Sequence, residues 1–144
     1  MPLDETQELK SPPSRFVTCY VTAKRIHSDM ILDLRDHWQK IHFTAHWPVV
    51  RNLPTEHNRP AREWIVNNTD DIIRSETVLC FAHPADVLCG SIFELGIAYA
   101  HGKRIWLVGE NEGYKEWRFA PRIRRAATLE VALTEITRLA EYQS

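Results

Sequence analysis

The sequence predicts an α/β fold in which a doubly wound parallel sheet carries helices on both faces. Two observations lead to this prediction. Four short apolar runs have the length of buried strands, and the stretches between them repeat apolar residues at helical spacing. Strands that alternate with helices are typical of a parallel sheet. Because crossovers are right-handed, we expect a single flavodoxin-like (Rossmann-like) sheet of four or five strands in the order 2-1-3-4-5.

The strand predictions rest on runs that are rich in β-branched and aromatic residues, which favour strands. The predicted strands are Arg15–Thr22, Lys40–Trp47, Thr77–His83 and Arg104–Gly109. No internal repeat or low-complexity segment interrupts this order.

Each predicted helix has an apolar stripe. The stripe of the first helix, "RIHSDMILDLRDHW", consists of Ile26, Met30, Leu34 and Trp38. The second helix follows Pro60 and has Trp64 and Ile72 among its apolar positions. The third, "GSIFELGIAYAH", is expected to stop at Gly102. The last begins after a capping Thr128 and buries Leu129, Leu133, Ile136 and Ala140.

We expect one domain with a short lead-in. Residues 1–14 are polar and acidic, unlike a signal peptide, and predict a disordered segment. Residues 15–144 then form the domain, which is long enough to bury a core. The connection 48–60 is the one large loop, and its length suggests a lid or a contact between subunits.

The composition argues against several classes of function. The formal net charge is −1, and no apolar run approaches the roughly 20 residues of a membrane helix, so we expect neither a membrane nor a nucleic acid as partner. Cys19, Cys80 and Cys89 fit no disulfide or zinc pattern, which favours buried thiols in a reducing cytoplasm. His42 and His46 lie in a predicted strand, where their spacing separates them, so no metal is expected.

The predicted topology places a ligand at the carboxyl ends of the strands, in the crevice between the first and third strands. Residues 20–25, which include Thr22, and residues 83–94, which include His83, reach this crevice. Trp47 flanks it after the second strand.

Glu94 is a carboxylate at the start of the third helix, among apolar residues. Ser91 and Glu94 have the spacing of a capping box, in which both side chains satisfy backbone N–H groups. The alternative is a catalytic carboxylate, and spacing alone leaves both open. Gly90 would allow a ligand close to the backbone, and Gly96 serves either tight packing or a ligand.

"GSIFELG" lacks the glycine spacing of a dinucleotide fingerprint, and the chain has no P-loop lysine motif. We therefore expect no nucleotide cofactor, and indeed no cofactor of any kind.

The stretch "ELGIAYAHGK" and its apolar flanks resemble the signature of the nucleoside 2-deoxyribosyltransferase superfamily, which includes the deoxynucleoside 5′-monophosphate N-glycosidases. "YVTAKRIHSDMILDLRD", "FTAHW", "HPADVLCG" and "WRFAPRIRRAATLEVAL" extend the resemblance to an uncharacterised bacterial and phage branch. It implies that Glu94 is the nucleophile that attacks the sugar anomeric carbon, followed by hydrolysis or transfer to another base. Such chemistry suits a carboxylate, which can trap an oxocarbenium-like centre covalently.

The resemblance also implies an aspartate, on the helix before the third strand, that protonates the departing base. Asp70 is the first choice and Asp71 the second, although acidic residues on such a helix often form only a solvated face. Family members place Asp or Ser six residues before the nucleophile, where it binds the sugar 5′-group. Leu88 stands there in this chain, and Asp86 or Ser91 could take over that role.

Other candidate contacts surround the crevice. Tyr20 and Trp47 could stack on a base, with a core position as the alternative for Tyr20. Lys24 and Arg25 could meet a phosphate, or be surface charges. The basic, aromatic stretch Trp117–Arg125 is weak evidence for nucleic acid.

The expected ligand is a nucleoside or nucleotide. A non-catalytic nucleotide-binding module, a sensor or sponge, is one alternative, and an NAD-type glycohydrolase is another. The resemblance, the loop 48–60 and the aromatic residues Trp64, Tyr99 and Trp117 favour a homodimer or larger assembly.

Overall fold

The computed structural model describes residues 17–38, 41–44, 61–88 and 90–143. These residues form a parallel sheet whose five strands have the order β2-β1-β3-β4-β5. The strands are β1 (Val17–Thr22), β2 (Ile41–Thr44), β3 (Thr77–Phe81), β4 (Arg104–Val108) and β5 (Ile123–Ala126). The predicted fold class and strand order are confirmed. The expected lead-in, the loop 48–60 and Trp47 lie outside the described residues.

The helices follow the strands as predicted. They are α1 (Ser28–His37), α2 (Ala61–Arg74), α3 (Gly90–Ala100) and α4 (Leu129–Gln143). Short 3₁₀ turns occupy Arg25–His27, Glu112–Tyr114 and Trp117–Phe119. Within the described ranges, no helix combines the length and apolarity needed to cross a bilayer.

The sheet separates two apolar cores. On one face, α1 and α4 cover Cys19, Val21 and Leu79 with residues that include Ile31 and Leu133. On the other face, α2 and α3 cover Tyr20, Val78, Cys80 and Ile105 with residues that include Ile72 and Leu95. Successive residues of a strand point to opposite faces, so the alternation within β1 assigns each side chain to one core.

The two faces make the carboxyl ends of β1 and β3 a switch point. The chain leaves β1 through α1 on one face, and leaves β3 through α3 on the opposite face. The two strands are neighbours, with Thr22 in register with Cys80. The carboxyl ends of β1 and β3 are therefore the place where the topology predicts a ligand site.

The expected helix ends are confirmed. Gly102 has φ of +69°, its N–H donates to Tyr99 O, and the Lys103 N–H donates to Ala98 O, which is the Schellman pattern. The Thr128 hydroxyl accepts from the Val131 N–H at 3.2 Å and caps α4.

The loops after β3 and β4 approach each other closely at Gly109. This residue has φ of +85°, and a Cβ there would lie 2.3 Å from Ala82 O. Only glycine fits this turn without moving the β3 end.

Two local expectations were wrong, and one of the two alternatives for Gly96 is ruled out. Ile26 is 81% exposed because a 3₁₀ turn precedes α1, and Ile31 takes the buried position instead. Gly96 does not serve tight packing, since a Cβ there would meet no atom within 4 Å. Residues 123–126, "IRRA", form β5 inside the stretch that looked only basic and aromatic.

The prediction that the cysteines are buried thiols is confirmed for the two that the structure describes. Cys19 lies in one core and Cys80 in the other. Burial raises the pKa of the Cys19 thiol to about 12 and that of Cys80 further, so both thiols stay neutral.

Candidate active site

Glu94 lies at the switch point, where both oxygens of its carboxylate accept hydrogen bonds from side chains of β1. The residue is 6% exposed. The Tyr20 hydroxyl donates a short hydrogen bond to Oε2, and the Thr22 hydroxyl donates to Oε1 at 2.7 Å. Tyr20 and Thr22 are two residues apart in β1 and so face the same side, towards α3.

Ser91 joins this cluster from the first turn of α3. Its Oγ lies 3.0 Å from the Thr22 Oγ1. A hydroxyl has one proton, and if that of Thr22 goes to Glu94, Ser91 donates to Thr22. The hydroxyls therefore form a chain that ends on the carboxylate.

The capping-box prediction does not describe this geometry. Helix α3 begins at Gly90, so Ser91 lies inside the helix and Glu94 is its fifth residue. The side chain of Glu94 reaches across to β1. Tertiary hydrogen bonds to Tyr20 and Thr22 explain the presence of this carboxylate among apolar residues.

Burial raises the pKa of the Glu94 carboxyl above its usual value, and the hydrogen bonds from Tyr20 and Thr22 offset this only in part. Burial likewise raises the pKa of the Tyr114 hydroxyl, and the neighbouring Cys80 and Glu94 side chains raise it further. The buried site thus disfavours the ionised form of Glu94 relative to its protonated form, and the protonation of this carboxyl depends on its surroundings.

A pocket of about 130 Å³ opens beside Glu94, between α2 and α3. Its lining is largely apolar, with Ile65, Asn68 and Thr69 from α2 and Gly90, Phe93, Glu94 and Ile97 from α3. A single water needs roughly 10–15 Å³ of such space, so the pocket has room for a small planar group.

The structure does not bring Asp70 to this pocket. Its side chain is 51% exposed and pairs with Arg74 one helical turn further on, at 3.2 Å. Residues 68 and 69 line the pocket, and each further residue turns about 100° around the helix, so Asp70 points elsewhere. Asp71 does not line the pocket either. For Asp70, the alternative that the acidic residues of this helix form only a solvated face is correct.

Asp86 organises the loop after β3. Its Oδ2 lies 2.9 Å from the His27 Nε2 and accepts from the His83 N–H at 2.9 Å. The Asn111 amide donates to His83 O and Asp86 O, both at 2.8 Å. Although burial alone would raise the pKa of Asp86, the His83 N–H and the His27 ring outweigh it and lower this pKa.

In this arrangement both described contacts of the Asp86 carboxylate lie within the protein, at His27 and at the His83 N–H. His83 is exposed, and its Nδ1 accepts from the Ala85 N–H at 3.1 Å. Leu88 packs against the core on the α3 face and contacts Gly113, so it does not replace a polar contact. Ser91 is the polar candidate that the structure does place beside Glu94.

The other residues that were predicted to contact a ligand lie at different distances from the pocket or in the core. The Tyr20 ring is fully buried, so it cannot stack on a base, and the core alternative is right. Gly90 lines the pocket and is exposed. Arg25 begins the 3₁₀ turn after β1, and Lys24 beside it is exposed. Within the described ranges, no group of three or more metal-ligating side chains comes together.

Two features of the site were missed from the sequence. Asn68 and Phe93 line the pocket, but neither belongs to a motif. Asn68 is one residue of "NNTDDII", and only the phase of α2 against α3 separates it from Asn67 and Asp70. That phase depends on which face of α2 is buried around Ile72, which periodicity could have indicated.

Comparison with solved structures finds the same fold at low sequence identity. A 2-deoxyribosyltransferase from Leishmania mexicana has a TM-score of 0.62 at 15% identity, with 85% of this chain and 97% of that chain covered. A conserved protein from Enterococcus faecalis V583 has a TM-score of 0.62 at 13% identity, covering 86% and 99%. The Clostridium botulinum CMP N-glycosidase BcmB has a TM-score of 0.57 at 15% identity, covering 83% and 97%. No protein-family model and no curated protein matches the chain.

These likenesses extend over nearly the whole length of the related structures. At such identities they establish the fold alone. What this chain does with the fold has to be argued from Glu94 and its pocket.

Proposed function

We propose that this protein cleaves the N-glycosidic bond of a nucleoside or nucleoside 5′-monophosphate, with Glu94 as nucleophile. The observation that carries the proposal is a buried carboxylate held by Tyr20 and Thr22 beside an open pocket. The fold shared with a deoxyribosyltransferase and an N-glycosidase supports it.

The chemistry follows from the position of the carboxylate. One Glu94 oxygen forms a bond to the anomeric carbon while the bond from that carbon to the base nitrogen breaks, and its electron pair leaves with the base. The leaving base takes a proton from water, since Asp70 lies away from the pocket. Water then attacks the anomeric carbon, the bond from that carbon to the Glu94 oxygen breaks with its electron pair on the carboxylate, and the proton of the water neutralises the hydroxide left by the first step. A second base that attacks in place of water completes a transfer.

The hydroxyls of Tyr20 and Thr22 have a definite role in this step. They donate to the carboxylate and favour its charged form, which is the nucleophile. They also fix the direction in which the carboxylate oxygens point, so that little reorganisation is needed when the bond forms.

The decisive experiment incubates the purified protein with nucleosides, their 5′-monophosphates and NAD, with and without a second free base. Chromatography then separates free base, sugar and transferred product. Base release by the native protein and its loss in Glu94→Gln are expected. Release that is equal in both proteins contradicts the proposal, and nicotinamide release from NAD would indicate a glycohydrolase instead.

The second candidate is a nucleotide-binding module without turnover. Leu88 favours it, because an apolar side chain packed in the core stands where the resemblance implies a polar contact to the sugar 5′-group. Tight nucleotide binding by the native protein that is unchanged in Glu94→Gln, with no base release in either, is its signature.

We also propose that the protein forms a dimer or larger assembly next to this site. Ile65, Val66 and Phe93 are each more than half exposed, and Ile65 and Phe93 line the pocket. A second copy would remove this apolar surface from water. Light scattering at micromolar concentration checks the assembly, and a mass of one chain contradicts it while leaving the chemistry untouched.

A further inference from the structure

An open groove of about 930 Å³ lies at the carboxyl edge of the sheet, where the chain leaves β3, β4 and β5. The described residues that line it include none of those that line the pocket beside Glu94. Open α/β sheets bind ligands outside the carboxyl ends of their strands. The groove therefore lies where this fold can accept a second ligand.

Positive charge is concentrated in this groove. Its lining includes three arginines, Arg118, Arg124 and Arg125, and one carboxylate, Glu110, although the whole chain has a formal net charge of −1. None of the three arginines forms an ion pair with a residue that the structure describes. Glu135 lies within the electrostatic reach of Arg124 but pairs with Arg138. An anion that enters the groove thus meets three guanidinium groups and one lining carboxylate.

Aromatic rings hold two of these guanidinium groups. The Cζ of Arg124 lies 5.8 Å from the centre of the Trp106 ring, and that of Arg125 lies 5.7 Å from the centre of the Phe119 ring. A ring has no net charge, so such a contact orients a guanidinium group and leaves its charge available to an anion. Both arginines are exposed, and a ligand can therefore reach them.

The chemistry of these side chains favours phosphate. A guanidinium group presents its N–H donors in a planar fork that matches two oxygens of one phosphate. Arg124 and Arg125 are successive residues of β5, so their side chains leave the strand on opposite sides. A chain of linked phosphates spreads its anionic oxygens over a length that can meet both, whereas a single phosphate is compact.

We propose that this groove binds the polyphosphate group of a small molecule, at a site separate from the pocket beside Glu94. The inference does not depend on the proposed function. A nucleic acid is the alternative polyanion, but its affinity is summed over contacts to many phosphates along a track of cations. The rest of this chain has more acidic than basic residues, which favours the small ligand.

Calorimetry of the full chain with inorganic tripolyphosphate, adenosine triphosphate, orthophosphate and a single-stranded deoxyoligonucleotide tests the proposal. We expect both polyphosphates to bind at least about tenfold more tightly than orthophosphate. Equal affinities for the two would show that the groove recognises the phosphates alone, and a preference for adenosine triphosphate would identify a nucleotide as the ligand. Either result supports the site.

Arg124→Gln and Arg125→Gln should each weaken the binding of tripolyphosphate by about tenfold or more. Arg104→Gln is the matched control. It removes the same charge from an exposed residue at the amino end of β4, away from the groove, and should bind tripolyphosphate as the native protein does. Circular dichroism checks that each variant is folded.

The absence of polyphosphate binding at millimolar concentration overturns the inference. An equal loss in Arg104→Gln does so too, because it indicates a diffuse effect of charge. An oligonucleotide that binds more tightly than tripolyphosphate, and that depends on Arg124 and Arg125, assigns the groove to nucleic acid instead. Glu94→Gln should bind tripolyphosphate unchanged, and a loss there would place the anion in the other pocket and reject the separate site.

Discussion

Glu94 and Asp86 are two carboxylates at the same edge of the sheet, and their surroundings shift their pKa values in opposite directions. Glu94 is held by two hydroxyls in a buried site, where desolvation dominates and raises the pKa. Asp86 accepts from a backbone N–H and faces the His27 ring, and these donors outweigh its desolvation and lower the pKa. The balance between desolvation and hydrogen bonds to the charged form thus decides the direction of each shift.

On the proposed function, this difference separates a reactive carboxylate, Glu94, from a structural one, Asp86. Asp86 gains from being ionised, so it fixes the loop after β3. The charged form of Glu94 is less stabilised by its surroundings than that of Asp86. This favours a nucleophile, because fewer stabilising interactions are lost when bond formation removes the negative charge. The predictions below test this contrast, beginning with the largest expected effect.

Glu94→Gln should lower base release by on the order of 10³-fold or more, because the amide cannot form the glycosyl bond. The fold should survive, since the glutamine amide oxygen can accept from one of the two hydroxyls while its NH2 group donates to the other. Chromatographic rates and circular dichroism of both proteins measure this. Asp86→Asn is the matched carboxylate control, and an equal loss there would remove the contrast.

Tyr20→Phe should reduce the rate by about 10²-fold, since one donor to the reacting carboxylate is removed. The pKa of Glu94 should rise further, because a hydrogen bond that favours its charged form is lost. The rising limb of the pH–rate profile should therefore move to higher pH than in the native protein. A lower rate with an unmoved limb contradicts this explanation.

Asp86→Ala should destabilise the fold by about 1–2 kcal/mol, since the His83 N–H and the His27 ring lose their acceptor. The folded pKa of Asp86 lies below its unfolded value of 3.8, so its contribution is present above that value and is lost as pH falls through the folded pKa. Urea unfolding at neutral and acidic pH measures both effects. If the stability difference between the native protein and Asp86→Ala does not become smaller at acidic pH, the contribution of ionised Asp86 is contradicted.

Glu94 has the opposite linkage. Its folded pKa lies above the unfolded value of 4.5, so the folded state binds the proton more tightly, and its contribution to stability declines as pH rises through this window. Glu94→Gln does not titrate, so its stability relative to the native protein should increase from acidic to neutral pH. Urea midpoints across this range measure the difference, and a constant difference contradicts the raised pKa.

Asp70→Asn should have the smallest effect. Its pair with Arg74 is exposed, and such pairs contribute about 0.5 kcal/mol or less. Activity should stay within about twofold of the native rate, because the side chain lies away from the pocket. A loss comparable to that of Glu94→Gln would restore Asp70 as the acid.

The sheet order and the position of Glu94 were predictable because both follow from rules with few exceptions. Alternating elements and right-handed crossovers determine the order of the strands, and the switch point then follows from it. The helix ends at Gly102 and Thr128 were likewise predicted from single residues whose conformational preferences are strong.

The errors concern the rotation of helices and the direction of side chains. Choosing among Asn67, Asn68 and Asp70 requires the phase of α2 to within one residue, or 100°. The hydrogen bonds of Asp86 join residues 59 positions apart, from His27 to the loop after β3. Local patterns contain no information about contacts of that separation.

Strand β5 was overlooked because its central residues, Arg124 and Arg125, are charged and exposed. Among the strands that the structure describes, it is also an outer one and pairs with β4 alone. Successive residues point to opposite faces, so one guanidinium group lies on each face of the sheet at this edge. An uncharged open edge is a template on which a second sheet can grow into an aggregate, and paired arginines oppose that approach by repulsion. The exposed arginines that made β5 difficult to predict from hydrophobicity thus also oppose the pairing of this edge with the sheet of another molecule in a crowded solution.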